Sequence, residues 1–143
     1  MKYVLIVLAL MSMGASGMSH AEFKERECLA LNIYFEARGE TYKDQLDIGY
    51  VTLNRVLNSR FPNNICGVVK QSKQFSWYWD GKSDNPLDTK AYNIAKHLSR
   101  YVIANPELDT TNGALFYHAH YVDPYWAAGF ERLKITKAHI FYK

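Results

Sequence analysis

One segment constrains this chain more than any other. From Glu22 to Arg38 the sequence reads EFKERECLALNIYFEAR, and Gly39 follows as a C-terminal stop. Ala30, Ile33, Tyr34 and Ala37 fall on the i, i+3, i+4, i+7 spacing of an α-helix. Cys28, Leu31 and Phe35 make a second apolar set on the opposite side. A helix that is apolar nearly all round is not a surface helix, so the rest of the fold has to pack around it. At about 100° per residue one narrow strip stays polar: Glu25, Asn32 and Glu36. Such a strip on a buried helix predicts a cleft.

The chain has 143 residues, which bounds it to one domain and excludes a multidomain machine, paired dinucleotide-binding halves or a repeat array. With 48% hydrophobic and 22% charged residues it is not a disordered chain. The first 21 residues read as an export signal: Lys2 is the positive end, Val4 to Leu10 the apolar run, and Ser19-His20-Ala21 the small-x-small cleavage site. The alternative is a retained membrane anchor, diluted by Ser12, Gly14, Ser16 and Gly17. Cleavage after Ala21 leaves residues 22–143 as one domain with a net charge of +2. That mild charge suits an anionic partner and does not call for a nucleic acid.

Export gives Cys28 and Cys66 a meaning, because an oxidising compartment permits a bridge between them. Closing a loop of that length stabilises a fold by on the order of 3–4 kcal/mol. Two buried free thiols are the alternative.

A second helix is expected over about Asp44 to Arg60, with Leu46, Tyr50, Leu53 and Leu57 on its main face and Gly49 permitting close packing. A loop from Asn63 to Ser83 then carries Cys66 and many aromatics. A third helix is expected from Asp88, a good N-cap, to Ala104, with Asn105-Pro106 ending it. Ala114 to Tyr117, Leu133 to Thr136 and His139 to Tyr142 read as strands. The fold class is therefore α+β, a helix-dominated single domain with a small antiparallel sheet or hairpin in its last third.

Four features could carry chemistry. Glu36 lies near the end of the most buried helix, and a carboxyl among apolar neighbours has a raised pKa, as a general acid requires. It could instead pair with Arg38 or Arg55. Glu40 is four residues on and would make a carboxylate pair with Glu36 if Gly39 did not break the helix. The run Gln74-Phe75-Ser76-Trp77-Tyr78-Trp79-Asp80-Gly81 mixes aromatic rings with amide and hydroxyl groups, which suits a sugar, although some of those rings must fill core. In the strand after Asn112-Gly113, Phe116 and His118 share one face and Tyr117 takes the other. His118 and His120 with Asp123 could suggest a metal, but the chain carries no HExxH helix and no cysteine cluster. No nucleophile elbow and no phosphate loop is present.

At this point the residues resemble a known family, the SleB-type cell wall hydrolases. The resemblance rests on ECLALNIYFEARGE (27–40), VTLNRVLNSRFPNNICGVVKQ (51–71), QFSWYWDG (74–81), NGALFYHAHYVDPYW (112–126) and HIFYK (139–143), collinear and properly spaced. It implies a lysozyme-like domain acting on peptidoglycan glycan strands. The bond cleaved would be the β-1,4 link between N-acetylmuramic acid and N-acetylglucosamine, by lytic transglycosylation in the spore enzymes. It also implies Glu36, the first Glu of the E-A-R-G-E motif, as the catalytic residue. Gln74, Ser76, Trp77, Tyr117 and His118 are expected to line the groove, with no metal and no organic cofactor. Spore-cortex enzymes usually carry a further peptidoglycan-binding domain, for which residues 22–143 leave no room. A remodelling or phage lysis role, a water-using muramidase and a glycan-binding protein without turnover are the alternatives. The expected location is the periplasm or cell wall, the expected state a monomer, and the expected membrane contact the N-terminal segment alone.

Overall fold

The computed structural model describes residues 17–72 and 74–143. Most of the expected export signal lies outside them. Helix α1 runs His20–Ala37 and is capped by Ser19, whose hydroxyl accepts from the Glu22 N–H at 3.2 Å. The Glu22 carboxylate accepts in turn from the Ser19 N–H at 2.8 Å, completing a capping box. The cleavage point expected after Ala21 thus falls in the first turn of α1. Among the described residues no helix is long and apolar enough to cross a membrane. At the other end, Gly39 has φ +89°, which turns the chain out of the helix before Glu40.

Helix α2 spans Tyr42–Val56 and starts at the N-cap Thr41. It ends four residues before the expected Arg60. Asn58 is the cause: its side-chain oxygen accepts from the Arg60 N–H at 3.0 Å and closes a turn in place of helix. The face expected for α2 also needs correction. Of that face Tyr50 is buried as expected, but Leu46 and Leu53 are only half-buried and Leu57 is 72% exposed, whereas Ile48, Val51, Thr52 and Arg55 are buried. The helix is covered on more than one side, so one apolar stripe could not describe it.

The expected loop 63–83 contains two short helices, α3 (Ile65–Lys70) and α4 (Ser76–Trp79). Asn64 caps α3 by accepting from Gly67 N–H at 2.7 Å. Glu25 of α1 also accepts from the first N–H groups of α3, at Ile65 and Cys66, where an anion is favoured. The Cys28–Cys66 disulfide is formed and fastens α3 to α1 across 38 residues. Helix α5 (Thr89–Ala104) begins at Asp88 as expected.

The last third folds into strands β1 (Phe116–Ala119), β2 (Arg132–Ile135) and β3 (His139–Tyr142). They form an antiparallel sheet ordered β1-β3-β2. The expected α+β class, helix-dominated with a small antiparallel sheet late in the chain, holds. The larger core lies among α1, α2, α3 and α5 and contains Leu29, Ile33, Tyr50, Val68, Val69 and Val102. Gly49 lets α5 and α1 approach, because a Cβ there would lie 3.0 Å from Val102 and 3.2 Å from Ile33. A smaller core of Ala37, Ile48, Val51, Ala114 and Phe141 joins the sheet to α1 and α2, and Tyr117 packs against both.

Asp47 on α2 is fully buried and receives Lys134 Nζ of β2 at 2.7 Å. Burial still holds the Asp47 carboxyl above its ordinary range, against the pull of Lys134 and Thr110. The pair therefore positions the sheet rather than adding much net stability, and its cost appears when one partner is removed. Lys134→Met should destabilise the fold by about 3 kcal/mol at neutral pH, read as a lower urea midpoint with unchanged m-value. An unchanged midpoint would show that the pair does not hold the sheet.

Candidate active site

Glu36 lies on the last turn of α1, where α1 meets the sheet. Tyr117 of β1 donates its hydroxyl to the Glu36 carboxylate at 2.6 Å. Burial raises the Glu36 carboxyl above its usual range, and the Tyr117 hydrogen bond and the nearby Arg55 charge pull it back in part. Tyr117 is pushed well above the ordinary tyrosine range, first by burial and then by Glu36. The phenol therefore stays a proton donor to the carboxylate at any working pH. The rest of the polar strip on α1 does other work: Asn32 is fully buried and Glu25 caps α3.

Arg55, which the sequence offered only as a partner for Glu36, is a buried charge that acts on that carboxyl. It is 4% exposed, and its Nε donates to the Leu115 carbonyl at 2.7 Å. Its guanidinium carbon lies 5.2 to 5.7 Å from the ring centres of Phe61, Phe75 and Phe116. Burial lowers its proton affinity, while Tyr117 and Glu36 sustain its charge. The available signal was Thr52 and Arg55, polar residues three apart on the helical face that also carries Ile48.

Two grooves are lined by immediate neighbours of Glu36, one by Tyr117 and the other by Phe35. One, of about 520 Å³, is lined by Arg55, Gln74, Tyr117, His118, Tyr125 and Trp126, among others. The other, of about 440 Å³, runs along Tyr34, Phe35, Arg38, Ser76, Trp77 and Lys82. The five residues expected beside Glu36 thus divide: Gln74, Tyr117 and His118 on one side, Ser76 and Trp77 on the other. Trp77 is buried beside its groove. It is 8% exposed, stacks on Phe35 with ring centres 4.7 Å apart, and donates its indole N–H to Asn32 at 2.9 Å. His118 has both ring nitrogens engaged, with the Ala119 carbonyl at 2.9 Å and the Tyr142 hydroxyl at 2.8 Å. It serves as a wall of the groove. Glu40 is exposed in the turn after α1, where its carbonyl accepts from Gln45 at 3.1 Å.

Comparison with known proteins places the chain in a family. The family model described as Cell Wall Hydrolase matches residues 39–142. This chain belongs to the cell wall hydrolase family. It is 32% identical over 115 residues to the spore cortex-lytic enzyme of Bacillus subtilis, covering 79% of this chain and 35% of that one. It is 30% identical over 92 residues to a Bacillus cereus spore cortex-lytic enzyme, covering 64% of this chain and 33% of that one. The chain therefore spans about a third of the length of these relatives. Among solved structures it is similar to the catalytic domain of the germination-specific lytic transglycosylase SleB from Bacillus anthracis. The TM-score is 0.72 at 29% identity, covering 90% of this chain and 98% of that chain. The Bacillus cereus SleB catalytic domain gives a TM-score of 0.67 at 27% identity, with 90% and 94% covered. Glu36 lies just ahead of the family match, so its role rests on the motif and on the geometry above.

A raised folded-state pKa means that Glu36 stabilises the fold while protonated, and that this contribution is lost as pH rises through the folded value. Glu36→Gln, neutral at every pH, should therefore melt above the wild type at neutral pH. The gap should close as pH falls below the unfolded carboxylate range. A variant that melts lower at neutral pH contradicts the buried, raised carboxyl. Tyr117→Phe removes the donor to the charged form, so the Glu36 carboxyl ¹³C titration should move to higher pH; no movement would deny the hydrogen bond its role.

Proposed function

We propose that this family member cleaves the β-1,4 bond between N-acetylmuramic acid and N-acetylglucosamine in peptidoglycan, as a lytic transglycosylase. The observation that carries the proposal is one buried carboxyl with raised proton affinity, held by a phenol that itself lines an open groove. Glu36, protonated, donates to the glycosidic oxygen as the C1–O bond breaks and an oxocarbenium-like transition state forms. The muramic 6-hydroxyl then attacks C1 and returns its proton to Glu36. A 1,6-anhydro ring closes, and no water is consumed. Tyr117 and Arg55 stabilise the carboxylate that exists between the two proton transfers. One carboxyl suffices for this route, which leaves the exposed Glu40 outside the chemistry. Gln74 and His118 hold the glycan in one groove, Ser76 and Trp77 in the other. The scheme calls on no metal or organic cofactor, and residues 1–21 deliver a monomeric domain to the cell wall by export.

Purified sacculi digested with the protein and analysed by mass spectrometry test the scheme. The expected products are muropeptides with 1,6-anhydromuramic ends; reducing ends would instead mean a water-using muramidase. Glu36→Gln should lower turnover on the order of 10²–10⁴-fold, and turnover near the wild-type rate would remove Glu36 from the chemistry. Because the acid must be protonated, kcat/KM should fall as pH rises through the raised Glu36 pKa.

A further inference from the structure

The groove along Tyr34, Phe35 and Arg38 contains two cations that the chemistry above does not use. The Arg38 guanidinium carbon sits 4.8 Å from the Tyr34 ring centre and 5.7 Å from that of Phe35. Arg38 is exposed, and among the described residues it forms no ion pair with any carboxylate, Glu36 and Glu40 included. Rings therefore hold it in place. The shelf beneath it is rigid, since Phe35 is stacked on Trp77 at an interplanar angle of 17° and Trp77 is anchored to Asn32.

Lys82 lines the same groove from the loop between α4 and α5, and it too is exposed. That loop is fastened where it ends, because the Tyr34 hydroxyl accepts from the Asp88 N–H at 3.0 Å. Asp80 is the one acid lining the groove, and its carboxylate accepts from the Lys82 backbone N–H at 2.8 Å. The lining thus carries an excess of positive charge, with Ser83 and Asn85 adding uncharged polar groups.

A neutral sugar does not need a guanidinium laid on aromatic rings. A carboxylate does, because the planar fork of arginine meets it with two parallel hydrogen bonds. We propose that this groove binds a carboxylate of the substrate, through a two-pronged contact to Arg38 supported by the charge of Lys82. The ligand is a muramic residue in its anionic form, and the inference rests on the glycan cleavage proposed above. Two sources of that carboxylate exist, the lactyl ether of a peptide-free muramic residue and the stem peptide of a substituted one.

The test uses the full-length protein and three substrates. They are intact sacculi, peptide-free strands with free lactyl carboxylates, and those strands with the carboxylates capped as neutral methylamides. The wild type should show a kcat/KM roughly tenfold higher on free than on capped strands, the scale of one charged hydrogen-bond contact. In the double variant Arg38→Gln/Lys82→Gln that ratio should collapse towards one, through KM on the charged strands. Both side chains are exposed, so the variant is expected to keep the wild-type melting temperature. A preference for peptide-free strands assigns the lactyl carboxylate, and a preference for sacculi assigns the peptide. Equal wild-type rates on all three substrates, or wild-type preferences left unchanged in the double variant, overturn the carboxylate site alone. Failure of the wild type to cleave any of the three removes the glycosidase scheme and this site with it.

Discussion

A single amide in the middle of α1 sets where the surrounding pieces must lie. Asn32 is fully buried, and a buried amide without partners is costly. Its oxygen accepts from the Trp77 indole at 2.9 Å, and its nitrogen donates to the Thr52 hydroxyl at 3.2 Å. Thr52 passes its own proton to the Ile48 carbonyl at 3.2 Å. These bonds tie α1, α2 and α4 at one point, so each of the three has one position relative to the others. The disulfide and the Glu25 cap add α3 to the same helix. Much of the helical part of the molecule is in this way referenced to α1.

The site inherits that order. Trp77 is fixed by Asn32, Phe35 is fixed by stacking on Trp77, and Glu36 is the next residue along the helix. On the other side, Arg55 reaches from α2 to the carbonyl of Leu115, two residues before Tyr117. One arginine therefore both steadies the strand that carries the phenol and supplies positive charge near the acid. Its burial under Phe61, Phe75 and Phe116 excludes water from that charge, which strengthens its effect on Glu36.

What could be read from the sequence follows from how local each feature is. Helices α1 and α5 were legible because periodicity, a glycine stop and the Asp88 cap are contained within each segment. Glu36 was legible because its burial follows from the same periodicity, with the motif added. Helices α3 and α4 were not, because neither is long enough to show a period. The buried face of α2 was misjudged because cover from several directions erases the stripe on which such an assignment depends. The position of Arg55 depends on a carbonyl 60 residues away. Likewise, nothing local separates the four rings between Phe75 and Trp79, since their order of burial is decided by Asn32 on another helix. Phe75 and Trp77 are buried, Tyr78 is half-buried and Trp79 is 56% exposed.

Glu36 rides on a helix and Tyr117 on a strand, so the 2.6 Å contact between them is also a gauge of the distance between two layers. A hydroxyl-to-oxygen hydrogen bond spans only about 2.5–3.0 Å. The acidity of Glu36 is therefore not a property of either layer alone. Widening the gap between the layers would take the donor away from the charged form and leave the carboxyl a weaker acid. The spacing of helix and sheet and the proton affinity of Glu36 are, in this architecture, one variable.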